Sequence, residues 1–351
     1  MRAVLKTTPE TGVEYTTSHP DPEPAPGEVL LEVACASVCG TDRELFEWGA
    51  AAEAFALDLP VVLGHELAGA VIAAGPGVTT PRVGDRVALE SHVPCGYCFP
   101  CRTGDAHNCA NLCILGMHVD GGFAQRMAAP VSVCFPLPEA VPFETGALLE
   151  PAGVAMHAIQ RSGMAVAGGV VLVNGCGPVG LVIAELATLM GAAHVVAVEP
   201  NPYRRGLAER TGALALHPSE DVAERCRELS GARQGADVAF EVSAAPGVYP
   251  ALFDAVRREG IVIGIGHPAD PVPIDVGASI NKKGITLRGI FGRRLWSTWE
   301  QMLLLVTSGR LDLGTLVTHR LALSQLPEAI ELLDGEACKV LLDPSLEAPS
   351  G

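Results

Sequence analysis

The chain has 351 residues, a length that suggests two or three domains. Hydrophobic residues make up 48% and charged residues only 18%, so a packed core is feasible and global disorder is excluded. A net charge of -16 argues against an electrostatic hold on nucleic acid or an anionic membrane, and reads as solubility.

The opening segment, MRAVLKTTPE, has no apolar stretch long enough for a signal peptide, so a cytoplasmic protein is expected. Up to about residue 150, short apolar runs (29–33, 61–63, 68–74, 86–89) alternate with turns such as Ala25-Pro26-Gly27 and Gly75-Pro76-Gly77. This predicts an all-β, barrel-like domain. From about 154 to 291 the texture changes. Strands are predicted at 170–173, 195–198, 238–241 and 260–265, with helices at 178–190, 204–211 and about 250–257. Their alternation implies a parallel, doubly wound sheet. The tail is mixed, with helices at 296–308 and 326–333 and a final strand at 339–342. The uncharged stretch 162–184 is long enough to cross a bilayer, but six glycines, Asn174 and Pro178 favour a buried strand, turn and helix.

The run Val170-Val171-Leu172-Val173-Asn174-Gly175-Cys176-Gly177-Pro178-Val179-Gly180 places G-x-G-x-x-G between a strand and a helix start. Gly175 permits the tight turn, Gly177 lets backbone approach a pyrophosphate, and Gly180 lets helix and strand pack closely. Glu199 ends the second strand, 19 residues after Gly180, where an acid can bind both ribose hydroxyls and repel a 2′-phosphate. NAD is therefore favoured over NADP. Arg204 and Arg205 weaken that preference, because a nearby Arg can accept the phosphate. The alternative is a glycine-rich turn with no nucleotide.

Eleven cysteines are clustered, which in a reducing compartment points to metal before disulfides. Cys95-x2-Cys98-x2-Cys101-x7-Cys109 matches a closed, tetrahedral, four-thiolate zinc site. An iron–sulfur cluster is the competing reading, and nothing else suggests electron transfer. A closed shell leaves no position for substrate, so this metal should stabilise a loop. Cys113, just beyond, is surplus and structural.

Three other segments offer ligands: Cys39-Gly40-Thr41-Asp42, Gly64-His65-Glu66 and Leu149-Glu150-Pro151. A catalytic zinc needs three such ligands and an open position. Separately each is weak: a lone His after a strand is more often a satisfied polar residue, and a Glu before Pro a helix-start acid.

Those three segments, the four-cysteine lobe, Gly121-Gly122-Phe123-Ala124 and the glycine loop together resemble the zinc-containing medium-chain alcohol dehydrogenases over nearly the whole chain. Within that superfamily the chain looks most like the L-threonine 3-dehydrogenases. That likeness rests on Glu47-Trp48, Glu90-Ser91-His92, the run from Gly289-Ile290-Phe291-Gly292-Arg293-Arg294 to Trp299, Thr318-His319 and residues 335–340.

The resemblance implies an α/β protein. A GroES-like β-barrel catalytic domain would span 1–153 and 292–351, with the lobe at about 91–113. A Rossmann doubly wound parallel-sheet domain would span 154–291. It implies two zinc ions per chain: a structural one on Cys95, Cys98, Cys101 and Cys109, and a catalytic one on Cys39, His65 and Glu150. Glu66 would be an alternate ligand or an acid behind the ligands. Thr41 would hydrogen-bond the substrate hydroxyl. Gly175, Gly177, Pro178, Val179, Gly180, Glu199, Arg204 and Ile265 would hold NAD, and the segment from Ile290 to Arg294 would line the nicotinamide pocket. The partner would be a small-molecule alcohol or ketone, and the protein a homo-oligomer, dimer or tetramer.

One position departs from the family. Its members place a His three residues after Thr41 as the outer member of a proton relay, and here that residue is Glu44. An unshifted carboxyl has a pKa about two units below that of His. Three arrangements follow: burial raises Glu44, another group such as His92 carries the proton, or Glu44 faces solvent and water is the relay. The same change alters the pocket's charge. L-threonine, oxidised to 2-amino-3-ketobutyrate, is the leading substrate, with another secondary alcohol, a polyol or a biosynthetic intermediate behind it. A non-catalytic NAD-binding regulator would have lost catalytic ligands, and a zinc-independent quinone reductase would lack the lobe and Cys39. All are present.

Overall fold

The protein is described by a computed structural model covering Met1–Glu347. The chain divides into two units, Met1–Pro151 with Arg294–Gly351, and Ala152–Arg293.

The first unit is built from short strands broken by glycine and proline. In chain order these are β1 (Ala3–Lys6), β2 (Glu14–Thr16), β3 (Glu28–Ser37), β4 (Val61–Val62), β5 (Glu66–Ala74), β6 (Arg86–Leu89), β7 (His92–Val93), β8 (Cys113–Ile114), β9 (Arg126–Pro130) and β10 (Cys134–Pro136). Short helices α1 (Gly40–Glu47), α2 (Ala50–Ala54) and α3 (Phe99–Thr103) lie among them. Along β3, Val29, Leu31 and Val33 are buried while Glu32 is exposed, the two-residue period of a strand with one face on a core.

A 20-residue helix, α4 (Phe143–Ser162), was not legible in the sequence. Most of its residues are buried, so it lacks the polar stripe that reveals a helix. Glu150-Pro151 sits in its middle, not at a helix start.

The second unit carries β11 (Val170–Asn174), α5 (Pro178–Leu189), β12 (His194–Val198), α6 (Pro202–Arg210), β13 (Leu214–Leu216), α7 (Val222–Ser230), β14 (Ala236–Glu241), α8 (Val248–Ala255), β15 (Val256–Gly264) and β16 (Thr286–Gly289). Its sheet is parallel with order β13-β12-β11-β14-β15-β16, a doubly wound sheet whose strand order reverses between β11 and β14. The helix expected to reach residue 257 stops at Ala255. Val256 pairs instead with Ala236, and Arg257 Nε bonds Asp237 Oδ1 at 2.7 Å, so these residues open β15. The uncharged stretch 162–184 spans β11 and the first turns of α5, and among the described residues no helix is long and apolar enough to cross a membrane.

The chain then returns to the first unit with α9 (Ser297–Thr307), β17 (Val317–Ala322), α10 (Leu326–Leu332) and β18 (Lys339–Asp343). The unit's main sheet has the order β10-β6-β5-β3-β18-β17, and β9 pairs with the free part of β3. Two consequences position the site. In the β3–β5 ladder Ser37 faces Glu66, so the residues after β3 and those at the start of β5 leave the sheet at one end. In the β18–β3 ladder Leu341 faces Ser37, so the last strand reaches the same end.

Candidate metal centres and cofactor loop

The four cysteines of the lobe converge. The sulfurs of Cys95, Cys98, Cys101 and Cys109 lie within 4.8 Å of one another. Cys98 Sγ is 3.4 Å from that of Cys101 and 3.8 Å from that of Cys109. Four thiolates at about 2.3 Å from one zinc stand about 3.8 Å apart, so the cluster fits a tetrahedral ion. Protein donors already address these sulfurs. Cys109 Sγ accepts the amides of Cys95 (3.2 Å) and Asn111 (3.3 Å), and Cys95 Sγ accepts the Asn111 amide side chain at 3.6 Å. Desolvation resists ionisation of Cys95, yet Asn111 and the amides of Tyr97 and Cys98 bring its pKa down to about 6. Desolvation and the neighbouring thiols push Cys101 up to about 12. The lobe is closed at its base by the pairing of β7 with β8, where Cys113 faces Val93.

The second cluster brings together Cys39, His65 and Glu66, whose ligand atoms also lie within 4.8 Å of one another. Cys39 follows β3 and caps α1, where its amide donates to Asp42 Oδ2 at 2.8 Å. Asp42 is fully buried, and its Oδ1 lies 3.4 Å from His65 Nδ1. A carboxylate behind a ligating imidazole fixes the ring and raises its basicity. Burial disfavours protonation of His65, but the Asp42 charge and bonds to Asp42 and Cys39 hold its pKa well above the usual range.

The turn that presents His65 depends on the Gly121-Gly122-Phe123 segment. Gly122 N donates to Gly64 O, and Phe123 N to Leu63 O, each at 2.8 Å. Gly64 has φ +95°, and a Cβ there would fall 2.4 Å from the buried Phe123 ring. Only glycine meets both conditions.

Glu150 lies outside that group of three. It is buried on α4, and its charge acts on Lys339. Thr41 Oγ1 is 4.0 Å from Cys39 Sγ. Glu44 lies on the same helix, half-buried, and desolvation with the charge of Glu47 raises its pKa, against Arg43. His92 is buried on β7, its amide donating to Glu90 Oε1 at 2.9 Å, while Trp299 Nε1 donates to Glu90 Oε2 at 2.8 Å.

In the second unit, α5 begins at Pro178, directly after the glycine loop. A Cβ on Gly180 would stand 1.9 Å from the Gly175 carbonyl, so the helix can pack on the loop only with glycine there. A Cβ on Gly177 would meet nothing within 4 Å, an open approach at the helix N-terminus that suits a pyrophosphate. Val179 follows in the first turn of α5. Glu199 is buried with both oxygens engaged: Oε2 accepts Cys176 N at 2.9 Å, and Oε1 accepts Asn201 N at 3.0 Å and Arg204 at 3.1 Å. A ribose would therefore meet a carboxylate already oriented by the loop. Ile265 and Ile290 line one cavity of about 420 Å³, together with Tyr249 and His267. Arg294 belongs to the other unit, is exposed, and pairs with Asp105 of the lobe at 3.3 Å.

Several contributing residues had no role in the sequence reading. Asp42 sat inside a quoted motif, and its spacing of three from Cys39 is a capping signal. Ser37, Asn111 and Lys339 carried no signal, because their partners are set by sheet pairing or loop closure.

Comparison with known proteins agrees with this geometry. Residues 25–139 match the alcohol dehydrogenase GroES-like domain and residues 178–308 the zinc-binding dehydrogenase domain. L-threonine 3-dehydrogenase of Pyrococcus abyssi is 37% identical over 95% of either chain. That of Symbiobacterium thermophilum is 37% identical over 99% of either chain. Among solved structures, 2R,3R-butanediol dehydrogenase from Bacillus subtilis is similar with a TM-score of 0.87 and 29% identity, covering 98% of this chain and 99% of that one. With a GroES-like unit, a Rossmann-type unit and extended identity to these enzymes, the chain belongs to the zinc-dependent medium-chain alcohol dehydrogenases.

Proposed function

We propose that the protein is an NAD-dependent L-threonine 3-dehydrogenase, oxidising the C3 hydroxyl of L-threonine to 2-amino-3-ketobutyrate. The observation that carries this reading is the convergence of Cys39, His65 and Glu66 beside the Thr41 hydroxyl. Identity to L-threonine 3-dehydrogenases along almost the whole chain supports the substrate.

Cys39, His65 and Glu150 hold the catalytic zinc in this reading, with Glu66 as alternate ligand. When bound, the zinc would supply a Lewis acid for the alcohol oxygen and NAD would supply the hydride acceptor. Asp42 orients His65. Thr41 accepts the substrate's hydroxyl proton and passes on its own. Glu44, one turn along α1, takes the proton outward, and its raised pKa brings a carboxyl closer to the range useful for a base near neutrality. His92, held near Glu90, is the second candidate for that step. The glycine loop, Glu199, Arg204 and Ile265 are assigned to NAD, and the segment from Ile290 to Arg294 to the lining of the nicotinamide pocket, as the family resemblance implies. The protein acts as a homo-oligomer in the cytoplasm, where reducing conditions keep its thiolate ligands available.

A second reading is a dehydrogenase of another secondary alcohol. Glu44 bears on the choice, because a carboxylate in that wall would either favour the ammonium of an amino alcohol or repel a substrate carboxylate. A screen of NAD reduction against L-threonine, L-serine, 2,3-butanediol and simple secondary alcohols decides between them. We expect the highest kcat/KM on L-threonine. Turnover of another alcohol with none on L-threonine would sink the named substrate.

A further inference from the structure

We propose that Lys339 is a positioning residue of the catalytic metal centre. Its ammonium holds Glu66 back from the metal and supplies the positive charge that balances the anionic ligands. The proposal rests on the ligand assignment above.

Lys339 is the first residue of β18 and is 2% exposed. Leu341 faces Ser37 in the β18–β3 ladder, so the same register carried two residues on brings Lys339 level with Cys39. Val38 N donates to Val340 O at 2.9 Å and fixes that alignment. The ammonium has three protons and three partners: Glu66 Oε2, Ser37 Oγ at 3.3 Å and the Val38 carbonyl at 3.2 Å. Glu66 Oε2 also accepts the Ser37 hydroxyl. One oxygen of Glu66 is thus fully committed within the protein, while the residue stands within 4.8 Å of the ligand atoms of Cys39 and His65.

The charge count explains why an ammonium is buried here. Thiolate Cys39, Glu66, Glu150 and the buried Asp42 bring four negative charges against the dication's two, and Lys339 reduces that excess. Without Lys339, Glu66 is released towards the metal and the repulsion between ammonium and dication disappears. Both changes tighten metal binding. Both also weaken catalysis, because a shell richer in anions is a poorer Lewis acid and a further protein ligand occupies the substrate's position.

A merely structural role predicts the opposite: a loosened site that holds metal less well. The test compares wild type with K339M, K339Q and K339R after cobalt(II) replaces zinc at the second site. The dissociation constant is read by chelator competition, the coordination from the visible spectrum, and kcat on the best substrate. K339M and K339Q should bind cobalt at least about tenfold more tightly, the scale of effects from residues behind metal ligands. Their visible bands should weaken as coordination rises, and kcat should fall. K339R keeps the charge and should return the spectrum towards wild type. K339Q serves if K339M fails to fold. An unchanged spectrum with equal or weaker binding in the folded variants overturns the proposal. Wild type that takes metal only at the four-cysteine lobe overturns the ligand assignment itself.

Discussion

The two metal centres differ in how the chain builds them. The lobe takes all four ligands from residues 95–109, and its shell of sulfurs is closed. The second centre brings together Cys39, His65 and Glu66 from the ends of β3 and β5, with Glu150 of α4 as a proposed further ligand and a counter-charge from β18, three hundred residues after Cys39. A closed site can be written in local spacing. An open site must be held from several sides, because its ligands have to keep one position free, and sheet register does that work here.

That division gives a ranked set of tests. The largest effect should come from Cys39→Ser. Losing the Lewis acid costs several kcal/mol, so kcat should fall about a thousandfold or more while Tm stays close to wild type. Metal analysis should show one zinc per chain instead of two. Cys101→Ala should do the reverse: Tm drops and the lobe zinc is lost, because structural zinc contributes folding energy outright. The fraction that stays folded should keep its kcat. A folded Cys101→Ala protein without activity would break the separation between a structural and a reactive metal. Next comes Phe123→Ala. Removing a fully buried ring costs about 3–5 kcal/mol, measured by denaturant unfolding. Because that ring packs on the turn before His65, zinc affinity at the second centre should weaken with it, and the lobe should keep its metal.

The smallest effect sharpens the role of Glu44. Its folded pKa is raised above the unfolded value, so the ionised form is disfavoured in the native state. This costs stability above the folded pKa and nothing below the unfolded one. Glu44→Gln should therefore raise Tm modestly at pH 8 and leave it unchanged at pH 4. The pH profile of kcat/KM should shift in the same variant if Glu44 carries the proton, and an unchanged profile removes it from the relay.

Much of this was visible in the sequence. The strand-turn-helix of 170–189 and the lobe rest on local patterns, so periodicity and spacing were enough to find them, whereas the ligand segments around Cys39, His65 and Glu150 became a set only through the family resemblance. The long helix α4 was hidden because burial on most sides erased its amphipathic period. Arg294 was assigned to the nicotinamide segment by its position in a motif, yet its guanidinium reaches Asp105.

What the sequence determined by itself was chemistry: which residues can bind metal, which glycines admit a phosphate, and that a carboxyl, Glu44, stands three residues after Thr41. Only the tertiary structure decided the environment of that chemistry. It set Asp42 behind His65, buried Glu44 far enough to raise its pKa, and carried Lys339 to Glu66. Spacing along the chain encodes ligands that are neighbours in sequence, whereas desolvation and charge balance depend on strands that meet only when the sheet closes.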